Sequence, residues 1–205
     1  EKSLGSYAAA GQLQQRPSPE GAGLFQRDWF ELVDALPANA QRCRGWDTAA
    51  TPGGGDWTVG VKIAQSNGHY FIEDVRRGQL SAAAVDSLIN QTAALDGRGC
   101  KQREEQEPGS SGKAVISARS RALAGYDYSG ISTTGAKVVR AGPFRAQAQA
   151  GNVKVLRAPW TAAYLDELET FPVGVHDDQV DASSAAFNEL TSGPGPLRTR
   201  EARWG

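Results

Sequence analysis

Three groups of carboxylates, far apart in the chain, are the residues best suited to do chemistry. Asp47 ends an apolar run in Gly45-Trp46-Asp47-Thr48-Ala49-Ala50. A carboxylate in an apolar strand is costly unless it is paired or metal-bound. Taken alone, an Asp before Thr reads as a strand-end turn cap. Glu104-Glu105-Gln106-Glu107 follows a run that starts at Lys101. Strand alternation puts Glu105 and Glu107 on one face and Glu104 on the other. Glu104 reads as part of a solvated acidic turn. His176-Asp177-Asp178-Gln179-Val180-Asp181-Ala182 opens a helical pattern. Asp177 or Asp178 would suffice as its cap. Asp181 lies three and four residues further on, so all three reach one helical face, where like charges repel unless a cation intervenes. Three Asp within five residues exceed what capping needs. Hard oxygen ligands of this kind suit Mg²⁺ or Mn²⁺. Two such ions about 3.5–4 Å apart can activate water and stabilise the leaving oxygen in phosphodiester hydrolysis. The carboxylates are expected to converge with no cation of the protein's own between them.

Other chemistries are excluded by residue type. Two histidines, His69 and His176, are too few for a histidine-built metal finger or nuclease. None of the lysines has Asp or Glu two positions before it, which removes the carboxylate-lysine restriction-nuclease pattern. Gly109-Ser110-Ser111-Gly112-Lys113-Ala114 has the wrong spacing for a phosphate loop and no hydroxyl after the lysine. No Gly-x-Ser-x-Gly occurs, so a nucleophile elbow is absent.

The elements that would carry these groups can be read from periodicity. Strands are expected at Cys43–Thr48, Trp57–Ala64 and His69–Arg76, the last two joined through Ser66-Asn67-Gly68. Asn-Gly between β-rich runs signals a type I′ hairpin. Ser81 should cap a helix whose apolar positions Val85, Leu88, Ile89, Thr92 and Leu95 share a face, and Gly97 should end it. Then come a strand at Lys101–Glu105, a helix near Gly112–Gly125 and a strand near Ser129–Thr133. A helix over Lys137–Ala150, bent at Pro143, leads to a strand at Asn152–Leu156. Helices Trp160–Phe171 and Asp178–Leu190 finish the series, the last with a small-residue run, Ala182-Ser183-Ser184-Ala185-Ala186, suited to close packing on a sheet. An antiparallel meander followed by α/β units makes a mixed sheet with helices on both faces, the ribonuclease-H-like architecture. Residues 1–38 read as a leader or linker laid over the domain, 39–190 as the domain, and 191–205 as a mobile tail with a basic end.

The bulk numbers agree with one globular domain. The chain has 205 residues, 40% hydrophobic and 22% charged, with a formal charge of -1. Only Cys43 and Cys100 are present, which excludes a disulfide scaffold or cysteine-built zinc site and points to a reduced, cytoplasmic setting. Both read as packing residues. No stretch approaches the roughly 20 apolar residues of a membrane helix. Sixteen of the 22 basic residues are Arg, the better phosphate ligand. The absence of Met suggests a piece of a larger protein.

Taken in order, the motifs resemble the C-terminal nuclease domain of the large terminase subunit of tailed bacteriophages. Gly11-Gln12-Leu13-Gln14-Gln15-Arg16-Pro17-Ser18, Gly23-Leu24-Phe25 and Asp28-Trp29-Phe30 look like the segment joining the packaging ATPase to the nuclease. Trp46-Asp47-Thr48-Ala49-Ala50-Thr51, Glu105-Gln106-Glu107-Pro108-Gly109-Ser110 and His176–Ala182 look like its three acidic motifs. The resemblance implies a ribonuclease-H-like, two-metal endonuclease (Mg²⁺ or Mn²⁺) that cuts concatemeric double-stranded DNA at the start and end of genome packaging. By position, Asp47 would ligate both ions and Glu105 one. The Asp177-Asp178 pair would supply the third carboxylate, Asp178 slightly preferred, with Asp181 in support. Lys137 and Arg140 resemble a family basic motif that would meet the scissile phosphate or DNA backbone; a solvated helix face explains them equally well. His176 would orient a ligand carboxylate or merely adjoin the cap. Arg76, Arg77, Arg198 and Arg200 are further candidates for DNA contact, while Trp57 and Tyr70 read as core. The implied partners are DNA, an ATPase domain, the portal and the small terminase subunit. The implied setting is the host cell cytoplasm, with the isolated domain monomeric. A Holliday-junction-resolvase-type nuclease and a non-catalytic docking module remain as alternatives.

Overall fold

The computed structural model describes residues 23–50 and 53–192. Gly11–Ser18, Thr51 and the basic tail with Arg198 and Arg200 lie outside the described residues. Seven strands form one sheet in the order β1-β7-β4-β3-β2-β5-β6. They are β1 (Glu31–Val33), β2 (Gln41–Asp47), β3 (Thr58–Ser66), β4 (His69–Gly78), β5 (Cys100–Glu105), β6 (Tyr128–Ile131) and β7 (Val153–Leu156). The β2–β3 and β3–β4 pairs are antiparallel and the rest parallel. The helices are α1 (Ala82–Asp96), α2 (Ser110–Ala122), α3 (Lys137–Gln149), α4 (Thr161–Thr170) and α5 (Asp178–Thr191). This is the mixed sheet with helices on both faces that the pattern predicts. Asn67 and Gly68 both take positive φ, 50° and 78°, as the hairpin requires. Helix α3 runs unbroken through Pro143.

The described part of the leader segment packs on the domain. Residues 23–33 are built into the domain: Phe25 and Phe30 are buried, and β1 pairs in parallel with β7 at the sheet edge.

Alternation along the strands divides the core in two. One face packs against α3, α4 and α5 through Cys43, Val59, Val61, Phe144, Leu168 and Phe187. The other packs Trp46, Val85, Ile89, Leu123 and Tyr128 under α1 and α2. Both cysteines are free and buried. Cys43 lies in the first layer; Cys100, in register with Arg42, lies on the α1 side with Asp96, Lys62 and Arg44 as its charged neighbours.

Helix α5 lies almost on the backbone of β2. A β-carbon at Gly45 would stand 2.0 Å from the Ala182 carbonyl oxygen and 2.7 Å from the Ala186 nitrogen. The small-residue run of α5 is what permits this approach. On the opposite face Arg44 is 1% exposed, yet each of its guanidinium nitrogens has a partner. It donates to Asp96 at 2.6 Å, to Asp74 at 2.8 Å and to the Gly60 carbonyl at 2.9 Å.

Candidate active site

The β2–β5 register aligns Trp46 with Glu104, so Asp47 and Glu105 end neighbouring parallel strands side by side. Asp47 sits on the Gly45 face, under α5, whose first turn carries Asp178 and Asp181. Burial pushes the Asp47 carboxyl up to about 8, and the charges of Asp181, Asp178 and Glu105 push the same way. Burial also raises Asp178, helped by Glu167, Asp177 and Asp56. Burial raises Asp181 against the pull of Lys137 and Arg140. The sheet and α5 thus gather four of the sequence-predicted carboxylates: Asp47, Glu105, Asp178 and Asp181.

The expectation that no cation of the protein's own lies among them is overturned. Lys137, at the start of α3, donates to Asp177 at 2.7 Å and approaches Asp181 at 2.8 Å. Arg140, one turn on, donates to Asp181 at 2.8 Å and to Glu105 at 3.3 Å. Thr133 donates to the other oxygen of Glu105 at 2.5 Å. Mutual repulsion among the carboxylates explains why both basic side chains turn toward them, Arg140 largely buried and Lys137 still half exposed. As the side chains stand, no three carboxylate, imidazole or thiol groups among the described residues form a group able to hold a metal ion.

The plain capping role for Asp177 or Asp178 also fails. Asp177 is the N-cap residue of α5, but neither it nor Asp178 caps the helix through its side chain. The Asp177 carboxylate is on Lys137, and Asp178 Oδ2 is buried with no hydrogen-bond partner. His176 Nδ1 stands 3.8 Å from that oxygen, its ring edge-on to Trp57. Arg77 stacks on Trp57 at 4.0 Å and pairs with Glu167, so it is engaged within the protein, while Arg76 pairs with Asp74. Tyr70 is core, packed on Phe187. Glu107 lies beyond the end of β5 and is exposed.

Glu104 requires a correction. It does point away from Glu105, as alternation predicts, but into the α1–α2 layer, where it is 1% exposed. It accepts from Arg119, from the Tyr128 hydroxyl at 2.6 Å and from Thr48 at 3.0 Å. The structure makes it a buried counter-charge and not a solvated turn. Glu104→Ala would strand a mostly buried guanidinium and a buried hydroxyl. It is expected to cost about 3 kcal/mol of stability, measurable by urea denaturation. Glu105→Ala, on the other face, should spare stability and remove function instead. A Glu104→Ala protein as stable as the parent would show that Arg119 and Tyr128 find other partners.

Two buried residues near the site carried no sequence signal. Glu167 and Gln179 are 7% and 1% exposed and bonded to each other. Glu167 looks like one more acid of the polar Asp166-Glu167-Leu168-Glu169 run, and only its tertiary partner sets it apart.

The family model described as the terminase RNase H-like domain matches residues 44–190. No curated protein sequence matches. Among solved structures, the large terminase nuclease of thermophilic phage G20c with bound magnesium superposes with a TM-score of 0.61. It is 17% identical, over 84% of this chain and 99% of that one. The P22 large terminase nuclease domain gives 0.62 at 10% identity, over 82% and 92%. The large terminase of another thermophilic bacteriophage, in complex with ADP, gives 0.61 at 10% identity; there the match covers 93% of this chain and 53% of that longer one.

Proposed function

The chain belongs to the terminase RNase H-like domain family, and on that premise we propose that it is a divalent-metal-dependent endonuclease that cuts double-stranded DNA during viral genome packaging. The observation that carries this reading is the convergence of Asp47, Glu105, Asp178 and Asp181 from two strand ends and one helix start, with Asp47 pushed up to about 8. Such a set has a large unmet demand for positive charge. The buried, unpartnered Asp178 Oδ2 is an acceptor that a cation would satisfy. The all-oxygen donor set suits a hard ion. The related G20c nuclease is described with magnesium, zinc or cobalt bound.

Two ions, Mg²⁺ or Mn²⁺, fit the number of carboxylates. Bound there, they would lower the pKa of water and stabilise charge on the leaving oxygen. Asp47, central to the set, would contact both, Glu105 one, and Asp178 and Asp181 the remainder. Lys137 and Arg140 would leave the carboxylates when metal arrives and turn to the DNA phosphate. Asp177 keeps Lys137 at the mouth of the site. The packaging ATPase, the portal and the small terminase subunit would be the partners, in the host cytoplasm. The match covers about half of the ADP-bound relative's chain, which leaves room there for an ATPase part.

The test is a supercoiled-plasmid assay. Nicking and linearisation are expected with Mg²⁺ or Mn²⁺ and not with EDTA, without sequence preference. Because phosphate contacts release counterions, salt should inhibit steeply. Cleavage that persists in EDTA, or none with either metal, refutes the reading.

A further inference from the structure

The first turn of α5 carries the third group of carboxylates, and the side chain that caps that turn is neither Asp177 nor Asp178. A helix N-terminus leaves its first N–H groups without intrahelical partners, and the usual remedy is a side-chain oxygen of the N-cap residue. Here the N-cap carboxylate, Asp177, is drawn away to Lys137 at 2.7 Å. The backbone N–H groups of Val180 and Asp181 turn back onto the Asp177 carbonyl, both at 3.0 Å. The N–H of Gln179 instead donates to Glu167 Oε1 of α4 at 2.6 Å. The Gln179 side-chain amide donates to Glu167 Oε2, also at 2.6 Å, and reaches the Ala163 carbonyl at 3.3 Å. Arg77 of β4 closes the group, 3.4 Å from Glu167 Oε2.

We propose that Glu167 is a positioning residue for the nuclease: its carboxylate, accepting from both donors of Gln179, caps α5 from the neighbouring helix and fixes the direction in which Asp178 and Asp181 face Asp47. The role rests on the nuclease reading above. Gln179 lies between the two ligands in sequence, so a shift of its backbone moves both. One helical turn on, the Tyr164 hydroxyl meets Ser183 Oγ at 2.9 Å, so α4 grips α5 at two levels. Releasing the N-cap aspartate from its usual duty leaves its charge free to hold Lys137 at the site. The borrowed cap and the basic side chain at the carboxylates are therefore two parts of one arrangement.

The test compares Glu167→Ala, Glu167→Gln and Glu167→Asp by Mn²⁺ titration calorimetry and by amide exchange at Gln179. The Gln side chain keeps an oxygen at the right distance without the charge; Asp keeps the charge but is one methylene short. Glu167→Ala and Glu167→Asp should bind Mn²⁺ about tenfold or more weakly, and Glu167→Gln within about threefold of the parent, as outer partners of metal ligands typically do. Exchange at the Gln179 amide should quicken in the same order. Should the Ala variant fail to fold, the Gln and Asp pair decides alone. Parental Mn²⁺ affinity and protection in Glu167→Asp, or equal losses in Gln and Asp, would overturn the role. If the parent itself binds no Mn²⁺, the nuclease reading fails, while exchange at Gln179 still decides the cap.

Discussion

Asp47→Asn should abolish strand cleavage while making the metal-free protein more stable at neutral pH. The loss in cleavage is expected to be on the order of 10³-fold, about 4 kcal/mol of barrier, since this carboxylate lies between Glu105 and the two aspartates of α5. The gain in stability follows from proton linkage. The folded-state pKa of Asp47 is raised from 3.8 to about 8, chiefly by burial and then by Asp181, Asp178 and Glu105. A group raised in this way binds its proton more tightly folded than unfolded. Its contribution is fully present below the unfolded value and is lost as pH rises through the folded one. The parent should therefore lose stability relative to Asp47→Asn between about pH 4 and pH 8. At roughly 1.4 kcal/mol per pKa unit, this amounts to as much as about 6 kcal/mol. Thermal unfolding of both proteins in EDTA across that range checks the sign. Curves that stay parallel would show that folding does not raise the Asp47 pKa, and undiminished nicking by the variant would remove Asp47 from the site.

The other large effect should come from a residue with no chemistry. In Gly45→Ala the new methyl would stand 2.0 Å from the Ala182 carbonyl oxygen, which is backbone and cannot rotate aside. Helix α5 must lift from β2. The overpacking should cost about 1–3 kcal/mol. The larger consequence is at the site, because Gly45 lies two residues before Asp47 and Ala182 one residue after Asp181. A displacement of the order of 1 Å between reacting groups costs on the order of 10²-fold in rate. Cleavage should fall more steeply than stability. Gly99→Ala, in the turn before β5 where nothing lies within 4 Å of the added carbon, is the control and should leave cleavage at the parental level. Parental cleavage by Gly45→Ala would mean that α5 carries no essential ligand.

The fold was legible where local rules dominate. The Asn67-Gly68 turn, the apolar face of α1 and the small-residue stripe of α5 each fix their element without distant partners. Strand β1 was not legible: Glu31-Leu32-Val33 is too short to show alternation, and it exists only because β7, more than a hundred residues away, offers a free edge. Strand β5 was legible, but the burial of Glu104 within it was not, for a related reason. Gln102, Arg103 and Glu104 are all buried, yet a polar run reads as surface unless its partners are known. Those partners are Trp46, Glu189 and Arg119. The same holds at the site. The carboxylates could be found from their types and order, since their clustering exceeds structural need. Their counter-charges could not, because Lys137 and Arg140 look like any basic helix face until α3 is placed against α5.

The two cysteines, one on each side of the sheet, make the protein its own reporter of opening. Alkylating reagents attack the thiolate, and burial raises both thiols, Cys100 to about 12 and Cys43 further still. Neither should be labelled while its layer is closed. Cys43 becomes reactive only when α3, α4 and α5 part from the sheet, and Cys100 only when α1 does. Mass spectrometry of a labelling time course therefore separates the breathing of the layer that bears the carboxylates from that of the layer that merely supports them, with no engineered probe. Divalent metal should slow labelling at Cys43 and leave Cys100 on its own clock.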